Sequence, residues 1–297
     1  MIHVFTHPAC LRHSAGAGHP EASERLRVLL RRLTDDGRFP VTEADPAPRA
    51  SLLPVHPEHY LRWLEAVAAR GGGVLDPDTS MNADSWEAAL GGAGAALAAV
   101  ESALSGVPAF AAVRPPGHHA LADRAMGFCL LSNIVIAARA ALAAGRSRVL
   151  IVDWDVHHGN GTQALVERDP AIRFISLHQW PAYPGTGRAD ERGVGNIWNI
   201  PMPAGLPPLQ YVEALWRTVE AASTGWMPDV LLISAGFDAM RGDPLGGFTL
   251  EPEHYADLTR RLQARFPEAA FASFLEGGYN PGRLADGVVA HLEGLSA

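Results

Sequence analysis

Short apolar runs alternate with amphipathic stretches along the whole of this 297-residue chain. Runs rich in aliphatic and β-branched side chains fall at 2–5, 108–113, 148–152, 172–177, 197–200, 230–234 and 269–275. Two of them, VLIV at 149–152 and VLLIS at 230–234, are almost wholly apolar, the pattern of strands buried on both faces and hence of a parallel sheet. Between the runs, helices are expected at 22–33, 57–70, 86–105, 133–145, 162–168, 207–222 and 251–266, with a last one from Pro281 onward. In the first helix Leu26, Val28, Leu29, Leu30 and Leu33 make an apolar side. Arg25, Arg27, Arg31 and Arg32 fill much of the remainder, as a solvated face would. The Pro- and Ala-rich stretch 40–54 reads as a connection, and Gly71, Gly72 and Gly73 end the second helix. Alternation of strand and helix throughout predicts one α/β domain over 1–297, a parallel sheet with helices on both sides.

The polar residues that break this pattern collect at strand ends. After VLIV come Asp153, Asp155 and His157 at alternating positions, so an extended backbone sends all three side chains to one side. Asp and His at the carboxyl end of a buried strand suit a catalytic metal, held by a stiff element beside an open crevice. A turn of ordinary solvated Asp and His groups would read the same way in isolation. The strand ending at Val113 runs into RPPGHHA at 114–120, a rigid turn presenting His118 and His119. Asp238 follows VLLIS, and Tyr279 follows the tight Gly277-Gly278 turn after the last strand. Four separate strands thus deliver titratable or phenolic groups at the same end of the sheet, which is how an active site is built.

Composition narrows the field. Twenty-four Lys and Arg against 32 Asp and Glu give a formal charge of -8, which opposes binding to nucleic acid and favours a cationic substrate weakly. Cys10 and Cys129 are the only cysteines and form no CxxC pair, so neither a disulfide framework nor a thiolate zinc site is indicated. With no leading basic-apolar segment and no run long enough to cross a bilayer, a reducing, cytoplasmic setting without membrane attachment is expected. The Gly-, Pro- and Arg-rich stretch 179–196 is long for a structureless loop and suggests a binding rim. Trp180, Tyr183 and Trp198 near it would pack against substrate, against another subunit in a homo-oligomer, or locally.

Taken in order, RPPGHHA at 114–120, GFC at 127–129, DWDVHHGNGTQ at 153–163, SAGFDAMRGDPLGG at 234–247 and EGGYN at 276–280 resemble the histone deacetylase and acetylpolyamine amidohydrolase family, in its class II branch. The resemblance implies a three-layer α/β sandwich around a mostly parallel sheet of about eight strands, shared with arginase. It implies one catalytic zinc on Asp155, His157 and Asp238, with iron a competitor for such a site in cells. It makes His118 and His119 the tandem catalytic histidines, partnered by Asp153 and Asn160 respectively, and Tyr279 the carbonyl-polarising tyrosine. Gly127, Phe128, Tyr183 and Leu245 would contact substrate, the two aromatics as walls of a tunnel admitting an acyl-lysine side chain. Arg25 would be an internal arginine near an acetate exit, in tension with the solvated face read above. A structural potassium is implied on backbone oxygens around Asp153, Asp155, His157, Ser176 and Leu177.

The expected reaction is hydrolysis of the acetyl amide on lysine side chains of peptides or proteins. An acetylpolyamine amidohydrolase is the nearest rival. Polyamine-selective relatives carry Glu after GDP, whereas Leu245 stands there in this chain. A two-manganese ureohydrolase like arginase would need a carboxylate two positions beyond His157, where Gly159 stands. An inactive acyl-lysine reader would not need three ligands, two histidines and Tyr279 together.

Overall fold

A computed structural model describes residues 2–296. Among these residues, eight parallel strands form one sheet in the order β2-β1-β5-β10-β9-β6-β7-β8. They are β1 His3–Thr6, β2 Val41–Glu43, β5 Ala109–Ala111, β6 Val149–Asp153, β7 Ile172–Gln179, β8 Ile197–Met202, β9 Val230–Ala235 and β10 Ala270–Leu275. A separate antiparallel hairpin, β3 Gly72–Asp76 with β4 Thr79–Asn82, lies outside the sheet. The chain passes from β5 over helix α5 (Asn133–Ala143) to β6, leaving room for β9 and β10 between them. The strand order therefore changes direction here, and the crevice beyond the carboxyl ends of β5, β10, β9 and β6 is where such sheets place their ligands.

Helices cover both faces. On one, α4 (Ser85–Leu104) packs on β1, β5 and β10, and α5 on β6 and β9. On the other, α1 (Ser23–Asp36), α9 (Pro281–Leu295), α8 (Pro252–Arg265) and α7 (Pro208–Ser223) pack side by side. The VLIV and VLLIS runs become β6 and β9, every residue buried, and they pair in register so that Asp153 stands beside Ser234. Burying the eight Val, Leu and Ile side chains of these two strands contributes about 1.5–3 kcal/mol each. Short helices α2 (Arg49–Leu52) and α3 (Glu58–Ala69) precede the hairpin.

The structure corrects three expectations. Residues 40–54 are not merely a connection, for they hold the edge strand β2 and helix α2. Gly72 and Gly73 open β3 rather than simply stopping a helix. Trp198 lies along β8 rather than at the rim, with the Arg173 guanidinium 5.5 Å from its ring, and so belongs to local packing.

Candidate active site

The floor of the crevice is made by Asp153 at the end of β6, by the bend that follows it and by the turns after β9 and β10; Asp155 and His157 lie in that bend, not on an extended strand as the alternation suggested. Asp155, His157 and Asp238 each bring one donor atom within 4.8 Å of the others, and Asp155 and Asp238 are fully buried. The two carboxylates are held by backbone amides, and the His157 ring lies with Nδ1 3.1 Å from Asp155 Oδ1. Asp155 Oδ1 accepts the His157 amide at 2.9 Å and its Oδ2 the Gly277 amide at 2.8 Å, while Asp238 Oδ1 accepts the Val156 amide at 2.8 Å. Asp238 Oδ2 is buried without any hydrogen-bond partner, 3.3 Å from His157 Nδ1. A carboxylate oxygen left bare in a protein interior is costly unless a cation completes it. Any side chain at Gly277 would collide with both carboxylates, so the backbone itself keeps the cradle open.

Electrostatics point the same way. Burial pushes the Asp238 carboxyl well above the usual range, and the charge of Asp155 beside it adds to the rise. Burial alone would depress His157, yet the carboxylates of Asp155 and Asp238 beside its ring carry it up to about 10. The pocket draws positive charge onto one spot, and two carboxylates with an imidazole are a donor set that zinc accepts. The residues present therefore fit a single divalent ion.

The tandem histidines stand above this floor with ring centroids 4.0 Å apart. His118 Nδ1 lies 3.0 Å from Asp153 Oδ2, and Asp153 Oδ1 accepts the Asp155 amide, so one carboxylate orients both a histidine and a candidate ligand. Burial opposes charge on His118, but Asp155, Asp153 and Glu276 outweigh it and raise its pKa well above the ordinary value. His119 goes the other way: burial first, then the positive fields of His118 and His157, hold it well below. Its Nδ1 is 2.7 Å from Asn160 Oδ1. With the amide oxygen as acceptor, Nδ1 carries the hydrogen and Nε2 is left as the basic nitrogen.

Beyond the histidines opens a cavity of about 270 Å³. Gly127, Phe128, Tyr183, Leu245 and Tyr279, all named from the sequence, line it together with His119 and His157. Tyr183 stands perpendicular to His119 at 5.2 Å, and Phe128 is edge-on to Tyr279 at 5.8 Å. Gly127 has φ 56, and a Cβ there would collide with the His119 ring, so this wall is moulded on the histidine.

Several residues that hold the site went without a role in the sequence reading. Glu276 Oε2 accepts the amides of Gly117 and His118 at 2.7 and 3.1 Å, fixing the tandem turn. Asp243 Oδ2 accepts the Tyr279 amide at 2.6 Å. Both lie inside motifs that were recognised, which was the available signal. Asp78, in the β3–β4 turn, lines the cavity and accepts the Gly127 amide at 3.2 Å, with nothing in its surroundings in sequence to announce it. Arg25 is corrected from the solvated face: it is 1% exposed, donates to the carbonyls of Gly278 and Glu276, and sits 4.9 Å from the Tyr279 ring centre. Its charge is met by Glu21, which also takes two bonds from the buried Arg114 at 2.6 and 2.7 Å. Glu21→Gln is expected to destabilise the fold by about 1.5–3 kcal/mol, the range for hydrogen bonds to charged groups, read as a lower urea midpoint.

A crevice with carboxylates and an imidazole on its floor, a basic imidazole above and a phenol on its wall has the layout of an amide hydrolase. A family model described as histone deacetylase domain matches residues 19–295. The chain belongs to the histone deacetylase family, and the family makes it a deacetylase or amidohydrolase. It is 41% identical over 287 residues to a probable deacetylase of Methanothermobacter thermautotrophicus, covering 94% of this chain and 86% of the other. The crystal structure of the HDA15 HD domain superposes with a TM-score of 0.94 at 36% identity, over 99% of this chain and 90% of that one. An acetylpolyamine aminohydrolase from Burkholderia pseudomallei follows at 0.90 and 30%, over 100% and 99%. The eight-stranded parallel sheet with flanking helices is that of these structures.

Proposed function

We propose that this chain is a zinc-dependent deacetylase that hydrolyses the acetyl amide of lysine side chains in peptides or proteins. The observation that carries the reading is the convergence of Asp155, His157 and Asp238 donor atoms beneath an aromatic-walled cavity. Zinc held by these three residues would supply Lewis acidity to a carbonyl oxygen and to a water. His119 Nε2, basic and uncharged, takes the proton of the attacking water and passes it to the departing lysine amine. His118, paired with Asp153, contributes electrostatic support rather than proton transfer. The Tyr279 hydroxyl donates to the oxyanion that develops on the acyl carbonyl. Phe128 and Tyr183 flank the acyl-lysine stem and exclude water from the reacting amide.

Asn160 makes the base testable. A neutral partner leaves the His119 imidazole unaided in holding a proton, whereas Asn160→Asp sets an anion against Nδ1 and favours the imidazolium. His119 works when deprotonated, so activity is lost as pH falls through its pKa. Asn160→Asp is expected to move the acid limb of the kcat/KM profile to higher pH; an unmoved limb would separate His119 from the base role.

The acetylpolyamine reading is favoured by one finding, the structural likeness to the Burkholderia enzyme. Against it stands Leu245, 39% exposed at the cavity, an apolar group where a polyamine's distant ammonium would want an acid. Amine release from an acetyl-lysine peptide, acetylspermidine and acetylputrescine decides between the two, and faster turnover of the polyamines overturns the lysine reading. Leu245→Glu is expected to shift the peptide-to-polyamine ratio toward polyamines by up to about fivefold, the worth of one exposed charge pair at about 0.2–1 kcal/mol. A two-metal ureohydrolase is disfavoured because any side chain at Gly159 would run into Asp153 and Phe174.

A further inference from the structure

The wall residue Phe128 lies in the second half of the loop between β5 and α5, in the segment 122–132, and a residue that does not line the cavity joins the two ends of that segment. His56, fully buried between α2 and α3, has Nδ1 2.9 Å from the carbonyl oxygen of Ala122, while its Nε2 accepts the Ser132 amide at 2.9 Å. A carbonyl can only accept and an amide can only donate, so the ring must carry its hydrogen on Nδ1 and leave Nε2 bare. Only an uncharged imidazole satisfies both. Burial, the largest influence on it, holds His56 down to about 4, so the ring stays uncharged at neutral pH. Tyr60, one turn along on α3, reinforces the closure: its hydroxyl donates to the Leu130 carbonyl at 2.7 Å and its ring lies 5.5 Å from that of His56.

Inside the closed loop, Phe128 adopts φ 68. A left-handed backbone costs a residue other than glycine about 1–2 kcal/mol, and it persists only where the surroundings enforce it. Met126 and Cys129 exchange backbone hydrogen bonds at 3.2 and 2.9 Å around the turn, and the Phe128 amide donates to Thr79 Oγ1 at 2.9 Å. These contacts shape the tip. The His56 ring, by joining residues 122 and 132, fixes the base on which the tip stands.

We propose that His56 is a positioning residue, which staples the ends of the 122–132 loop and thereby holds Phe128 as a rigid wall of the acyl cavity. The assignment rests on reading that cavity as the acyl-lysine site. His56 does not line the cavity and makes no contact with the reacting atoms. Its loss therefore weakens substrate binding in ground and transition state alike, which raises KM and leaves kcat in place.

The test compares His56→Leu with His56→Gln in the full, zinc-loaded chain, using an acetyl-lysine peptide and hydrogen exchange at the amides of 121–132. Leu fills the space but makes neither bond, whereas the Gln carboxamide offers an acceptor to Ser132 and a donor to Ala122. His56→Leu is expected to raise KM by about 5- to 30-fold, the equivalent of the 1–2 kcal/mol needed to re-impose the Phe128 conformation, with kcat unchanged. Exchange should quicken in the loop ahead of the sheet, and Gln should restore most of both. A merely structural histidine would lower the melting temperature and leave the KM split and the loop's relative exchange untouched, and that result overturns the proposal. Should His56→Leu not fold, Tyr60→Phe removes only the bond to Leu130 and should raise KM in the same sense; an unchanged KM counts against the staple. If the unaltered protein turns over no acylated substrate, the functional reading falls, while quickened loop exchange in His56→Leu still upholds the staple and its absence refutes it.

Discussion

Tyr279→Phe is expected to lower kcat/KM on an acetyl-lysine peptide by about 10²–10³-fold, the loss typical of one oxyanion donor. The substitution isolates the hydroxyl. The bond from the Tyr279 amide to Asp243, the Arg25 guanidinium by the ring and the edge-on contact with Phe128 do not involve the phenolic oxygen. Burial holds the phenol well above its ordinary pKa, ahead of the opposing pull of Arg25, so the hydroxyl keeps its proton and is available as a donor. The effect belongs in kcat, because the oxyanion exists only on the way to product. Undiminished turnover in the Phe variant would remove Tyr279 from this role.

Asp238→Asn should strip the site of its metal. Asn preserves shape and can still accept the Val156 amide through Oδ1, but it replaces the unpartnered Oδ2 with an NH₂ that cannot ligate. Zinc affinity is expected to fall by more than the 10–100-fold that loss of an outer partner typically costs, and turnover to fall with it. Elemental analysis of the purified variant, set beside its circular dichroism, is the measurement. Full zinc stoichiometry with normal turnover would mean that Asp238 is not a ligand, and the site would have to be redrawn.

How far the sequence could be read follows from where each residue lies. Buried strands such as β6 and β9 are unmistakable because both faces demand apolar side chains. The edge strand β2 is only Val-Thr-Glu, one half-buried and two exposed residues, and carries no such pattern. The β3–β4 hairpin hides behind paired glycines that look like a helix stop, and with it went Asp78. Groups at strand ends were legible because the sheet itself aligns them. Arg25 illustrates the converse: periodicity puts it among charged neighbours, and only the fold brings it under Tyr279. His56 acts through two backbone atoms 66 and 76 positions away, a relation that no local pattern encodes.

The acidic floor follows directly on the ladder between β6 and β9, two neighbouring strands in which every residue is buried. Sliding one strand by a single residue would turn Asp153 to the opposite face, so no intermediate spacing is open to it. Adjustment is left to the surrounding crossovers, which bring in Phe128, Tyr183 and Leu245 one apiece. Remodelling a single crossover can thus change what the cavity admits piecemeal, while Asp155, His157 and Asp238 stay where they are.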